Sequence, residues 1–171
     1  MQVASDATNA GYIRTCDLFP YAGAVETYRC PADNSVSSGG IPFRLRSYAI
    51  NCFMSGNGSN VLHQYAPGAT GYRLNLRIGD IIAPQPSLAF VFVDEHQNSI
   101  DDGHFGFVPE VDEWLNIPAT RHRGAMFSFA DGHAEIFRWH DPATLGLTGG
   151  FVTTPNNADL KRVQGALATK L

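Results

Sequence analysis

The pair Asp131 and Gly132 lies between two runs of alternating side chains, residues 125–130 and 133–139. An Asp-Gly pair in that setting predicts a β-hairpin, because a two-residue type I′ turn needs positive φ at both central positions. Such a turn sets Ala130 opposite His133, Phe129 opposite Ala134, Ser128 opposite Glu135 and Phe127 opposite Ile136. One face then carries Ala125, Phe127, Phe129, Ala134 and Ile136 and is expected to be core. The other carries Met126, Ser128, Ala130, His133, Glu135, Phe137 and Trp139, a mixed face that needs a cover.

The remaining pattern is mostly strand and loop. Residues 88–93 are the most hydrophobic run, and a six-residue length bounded by Pro86 and Asp94 predicts a central strand buried on both faces. Residues 44–53 alternate, with Leu45, Ser47, Ala49, Asn51 and Phe53 against Arg44, Arg46, Tyr48, Ile50 and Cys52, and read as a second strand. Residues 17–21 read as a helical turn tolerating Pro20, 26–30 and 72–82 as extended, and 105–108 as a short strand. Loops are expected over 32–42, 55–59 and 144–157, an acidic loop bearing Trp114 over 110–119, and a frayed end over 1–10. At the C-terminus Asn157 suits a helix cap, Asp159 suits the first turn, and Leu160, Val163 and Leu167 share a face.

These elements predict an α+β, β-dominated fold: an antiparallel sheet with long loops and a short C-terminal helix, in a single domain over 1–171. The 44% hydrophobic content supplies a core for a chain of 171 residues, and 17 Gly with 10 Pro suit a loop-rich β protein. A sheet needs a layer across its buried face. With one short helix available, a covering element is expected to lie outside this chain.

Net charge is −4 and the 12 basic residues form no run, which argues against nucleic acid as a partner. No apolar stretch approaches the roughly 18 residues of a membrane span, and no signal peptide follows Met1, so no membrane contact is expected. Cys16, Cys30 and Cys52 lack a Cys-x-x-Cys zinc spacing. They read either as one disulfide, in any of three pairings, with an odd thiol, or as three buried thiols.

The residues that follow the central run carry the densest chemistry. Asp94, Glu95, Asn98, Asp101 and Asp102 place five oxygen-bearing side chains before Gly103, a set suited to calcium. The alternative is a turn whose carboxylates pair with Arg121 or Arg123. His96, His104, His122 and His133 fall at strand ends or turns and are alternative transition-metal ligands. Three of them around zinc, with Glu95 or Glu135 as general base, would make a metal-dependent hydrolase acting on polysaccharide or ester substrates. Glu95, His133 and Glu135 are therefore the candidate catalytic residues. A cysteine–histidine pair would need a free thiol, and Cys16 and Cys30 read as structural. Trp114, Phe137 and Trp139, with Tyr65 and Tyr72, form a candidate binding surface: a carbohydrate-binding platform or a subunit contact.

Five short motifs occur in order over roughly residues 12–165: 28–33, 46–51, 92–96 with 100–103, 122–135, and 157–162. Together they resemble a bacterial family of type IV pilin-like proteins, related to type II secretion pseudopilins, with a C-terminal signature of His, about nine residues, then Asp-Gly. The resemblance implies a pilin-like headpiece at an extracytoplasmic location, acting in filament assembly, secretion or surface interaction. It implies pilin or pseudopilin subunits, a self-assembled oligomer or surface glycans as partners, and a structural calcium in the 94–104 loop. Here eight residues separate His122 from Asp131, one fewer than usual in the family. The long hydrophobic N-terminal helix of such proteins is not in this sequence. On this reading Met126, Phe137 and Trp139 mark where that helix or a neighbouring subunit packs.

Overall fold

The computed structural model describes residues 6–36, 44–54, 71–106, 109–167 and 170. The expectations for Tyr65, for the 55–59 loop and for much of the 32–42 loop lie outside the described residues. The strands are β1 (Tyr48–Asn51), β2 (Phe90–Asp94), β3 (His104–Phe105), β4 (Glu113–Trp114), β5 (Gly124–Phe129), β6 (Ala134–Arg138) and β7 (Val152–Thr153). Five form a sheet in the order β3-β1-β2-β5-β6, and β4 pairs with β7 in a separate ribbon. The α+β, strand-rich class with a short C-terminal helix is as expected. The sheet is mixed rather than wholly antiparallel, because β3 runs parallel to β1. Residues 26–30 and 72–82 form no strand: the first lies largely in a 3-10 turn (Val25–Tyr28), the second holds another (Ile78–Asp80).

The hairpin forms, but one residue out of the expected register. Its strands pair Ser128 with Ala134, Phe127 with Glu135, Met126 with Ile136 and Ala125 with Phe137. The loop has three residues rather than two. The Gly132 amide donates to the Phe129 carbonyl at 3.0 Å, Gly132 takes φ 94°, and the Phe129 amide donates to the His133 carbonyl at 2.9 Å. A turn followed by one left-handed glycine closes a three-residue hairpin as readily as Asp-Gly closes a two-residue one. A one-residue slip sends every β6 side chain to the opposite face. Phe137 and Trp139 therefore enter the core, each 4% exposed, while Ile136 turns outward at 38%. Gly124 keeps the two strands close there, since a Cβ at that position would lie 2.3 Å from the Phe137 carbonyl oxygen.

The buried face of the sheet carries Ala49, Asn51, Phe90, Val93, Phe127, Phe129 and Phe137. It is covered from within the chain. The C-terminal helix (Ala158–Gly165), capped by Asn157 as expected, contributes Leu160 and Val163, and Leu167 follows it. The β4–β7 ribbon contributes Trp114, whose ring meets Trp139 edge-on at 6.5 Å. No outside layer is needed on this side, contrary to expectation. The candidate aromatic surface is also corrected: Trp114, Phe137 and Trp139 are interior residues, drawn inward by the register shift and by the ribbon. The Trp139 indole N–H donates to the Ala119 carbonyl at 2.8 Å.

β2 is central in the sheet but buried chiefly on one face. Val91 and Phe92 are half-buried and Leu88 is exposed. The outer face brings together Tyr48, Phe92, Met126, Ser128 and Ala134. Part of it is covered by the N-terminal segment, which includes a helix at Phe19–Ala22 with Pro20 in its first turn. No helix among the described residues is long and apolar enough to cross a membrane.

Asn51 joins the layers. Its buried amide nitrogen donates to the carbonyls of Phe90 (2.9 Å) and Leu167 (2.8 Å), and its oxygen accepts from the Phe53 amide (3.0 Å). Asn51→Ala strands these three groups in a dry interior, at about 1–3 kcal/mol for each unsatisfied group. We expect a loss of about 3 kcal/mol or more, measured from the shift in denaturant midpoint.

Candidate functional site

A buried polar cluster stands at one end of the sheet, where β2 ends, β1 begins and the chain approaches β5. Arg121, just before β5, donates from Nη1 to Asp94 Oδ1 at 2.9 Å and to the Glu95 carbonyl from both terminal nitrogens. Its Nη2 lies 3.4 Å from Asp33 Oδ2. Asp33 also accepts the Ser47 hydroxyl and the Ser35 amide. These hydrogen bonds and the charge of Arg121 outweigh burial and hold the Asp33 carboxyl below its ordinary value. The buried Arg44 adds a second positive charge near Asp33, so the two carboxylates stand in a region of low dielectric with Arg121 and Arg44 as counter-charges.

Against this pair stands a thiol–imidazole contact. Cys30, 3% exposed, has its Sγ 3.3 Å from His122 Nε2. Donor atoms of Cys30, Asp94 and His122 all lie within 4.8 Å of one another. Asp94 is fully buried, and its Oδ2 has no partner in hydrogen-bonding geometry. Burial raises the Asp94 carboxyl to about 6; Arg121 pulls it down, Asp33 pushes it up, and the Cys30 thiol beside it lowers it again. Burial also raises the Cys30 thiol, against the Ala32 backbone and Arg121. His122 is half-buried, whereas Cys30 and Asp94 are buried.

All three cysteines are free, as in the second of the two readings: no disulfide forms, Cys30 and Cys52 are buried, and Cys16 is half-buried. Cys30 faces His122, and Cys16 Sγ lies 3.3 Å from the Tyr28 hydroxyl. Reading Cys30 as structural hid its pairing with His122. The available signal was a cysteine three residues before an aspartate, with an Arg-His pair elsewhere; only folding brings them together across 92 residues.

The five oxygen-bearing residues proposed for calcium divide between two arginines: Asp94 meets Arg121, whereas Glu95, Asp101 and Asp102 all act on Arg46. Asp94 belongs to the Arg121 cluster, so the expected pairing with Arg121 forms there. Glu95 is buried beyond it, its Oε1 accepting from Ser99 (2.8 Å) and Asn116 (3.0 Å). Asn98 donates to the Thr148 carbonyl, and Asp101 and Asp102 accept the amides of Asp102 and His104.

The histidines are likewise spread. His96 is buried with Nδ1 accepting from the Asn98 amide, and burial lowers its pKa. His104 Nδ1 is 3.8 Å from Asp102. His133 stacks on Phe129 at 4.4 Å and meets Asp131 at 2.6 Å. Of the four, only His122 enters the three-residue cluster found among the described residues. Glu95 lies at the opposite end of the sheet from His133 and Glu135, because the hairpin loop adjoins Ala89 whereas Ala119 adjoins Asp94. Glu135 has a structural partner: it lies 3.8 Å from Arg162, whose guanidinium covers the Phe137 ring at 3.6 Å. Comparison with protein-family models, curated proteins and solved structures gave no match.

Burial raises the Glu95 carboxyl to about 8, although Arg46 and the bonds from Ser99 and Asn116 lower it. A folded-state pKa above the unfolded value means that unfolding releases a proton, so stability falls as pH rises through that window. Asp94 and Glu95 together predict falling stability between about pH 4 and 8. Glu95→Gln should flatten the upper part of this slope, from about pH 6 to 8, in urea melts taken across pH.

Proposed function

We propose that the chain is the extracytoplasmic headpiece of a pilin-like or pseudopilin-like protein, working by subunit contact in filament assembly, secretion or surface interaction. The observation that carries this reading is the apolar groove on the outer face of the sheet. It encloses about 490 Å³ between Leu18, Tyr21, Tyr48, Phe92, Met126 and Ala134. Tyr21 is 89% exposed and Leu18 44%, on a face that the chain's own packing leaves partly open. Apolar surface gathered in this way marks an interaction site more often than isolated exposed residues do. The five motifs and their order support the same family. Met126 keeps the contact role that the sequence suggested for it, whereas Phe137 and Trp139 give theirs up to the core.

The occupant under this reading is a helix or face of another pilin-like subunit. Met126→Arg places a charge in the groove while Met126 packs only partly on its neighbours. We expect stability within about 0.5 kcal/mol of the parent and at least a roughly tenfold weaker self-association, about 1.4 kcal/mol, by sedimentation velocity. Disulfide cross-links between copies carrying Ser128→Cys should disappear in the same background. A chain that stays monomeric at all concentrations, with no cross-link at this position, would count against the proposal.

A further inference from the structure

We propose that Cys30, Asp94 and His122 form a binding site for a zinc-class divalent cation. The donor set is one thiol sulfur, one imidazole nitrogen and one carboxylate oxygen, drawn from three separate stretches of chain. Zinc takes such mixed ligands in tetrahedral geometry, with bonds of about 2.3 Å to sulfur and 2.0–2.2 Å to nitrogen and oxygen. Tetrahedral angles at those lengths put the donors roughly 3.5 Å apart. The 3.3 Å between Cys30 Sγ and His122 Nε2 already meets this, and all three donor atoms fall within 4.8 Å. A small inward movement of side chains completes the triangle.

The second observation is the state of Asp94. Arg121 holds Oδ1, and Oδ2 is fully buried with no partner in good hydrogen-bonding geometry, although the Cys30 thiol stands close enough to act on the Asp94 carboxyl. A buried carboxylate oxygen so poorly paired is costly, and a cation between it, the thiol and the imidazole satisfies it. As the metal–sulfur bond forms, the thiol proton passes to solvent. Three protein ligands leave a fourth position for water. The soft sulfur favours zinc over calcium or magnesium. This site adjoins the groove at Tyr48, which lines the groove and lies beside Cys30 and Asp94; metal binding is read from zinc and cobalt on the single chain and subunit contact from self-association, so the two tests fail independently.

The experiment uses the full chain, freed of metal by chelator and titrated with zinc alone, then with cobalt(II) as a spectroscopic probe. We expect one equivalent of zinc to bind and one thiol to become protected from alkylation. Cobalt should give intense tetrahedral d–d bands with a thiolate-to-metal charge-transfer band. Cys30→Ser should abolish the charge-transfer band. His122→Gln and Asp94→Asn should weaken zinc binding beyond the roughly 10–100-fold that loss of an outer-shell partner costs. Cys16→Ser and Cys52→Ser, alone or together, should leave all signals in place, which assigns the thiolate to Cys30 even if the ligand variants fold poorly. Failure of the folded parent chain to bind zinc, an octahedral cobalt spectrum without a thiolate band, or bands that persist in Cys30→Ser would overturn the assignment.

Discussion

Arg121 is the interaction on which the polar end of the molecule depends. One guanidinium reaches Asp33 from the N-terminal segment, Asp94 from the central strand and the Glu95 carbonyl just beyond it. Removing it would leave Asp94 buried without its counter-charge, a change that typically costs about 3–5 kcal/mol. The same contact decides the chemistry beside it. By occupying one oxygen of Asp94 it leaves the other buried without good hydrogen-bonding geometry, in a carboxylate that lies beside Cys30 and His122. The His122 ring is placed by its chain neighbour, since Arg121 fixes where that turn lies before β5 begins.

The sheet divides the protein into two unequal sides. One is a dry core in which Phe127 stacks on Phe137 at 4.4 Å and meets Phe90 edge-on at 5.2 Å, closed by the C-terminal helix and the β4–β7 ribbon. The other is polar at the Asp94 end, where residues 30–33 cover it, and apolar and open toward Phe92 and Met126. Asn51 secures the first side by tying β1 to β2 and to the end of the helical segment. The proposed subunit contact and the proposed metal site both belong to the second side, at different places.

Much of the fold was legible from local pattern. The hydrophobic run before Asp94 made a central strand, Asn157 capped the last helix, and Leu160, Val163 and Leu167 faced inward together. The hairpin was legible as a hairpin but not in its register. Asp131 and Gly132 are compatible with two loop lengths, and the choice between them rests on which β6 residues the core accepts. Two large aromatics, Phe137 and Trp139, have far more apolar surface to bury than Ala134 and Ile136. The candidate site was half legible. Asp94 and His122 were named from sequence, but as members of different sets, and Cys30 was read only as a structural cysteine. Spacing along the chain says nothing about residues 92 positions apart.

The sequence by itself determined the class of fold, the strand that runs down its centre and the helix that closes it. These follow from periodicity and capping, which act over a few residues at a time. Tertiary structure alone decided which face of the last strand is buried, because a one-residue register choice inverts it and the whole core arbitrates. It alone decided that Asp94 turns to Arg121 while Glu95, Asp101 and Asp102 act on Arg46, and that Cys30 meets His122 and Asp94. Such meetings depend on strand order and on the buried charge balance around Arg121, neither of which is written in any one stretch of the chain.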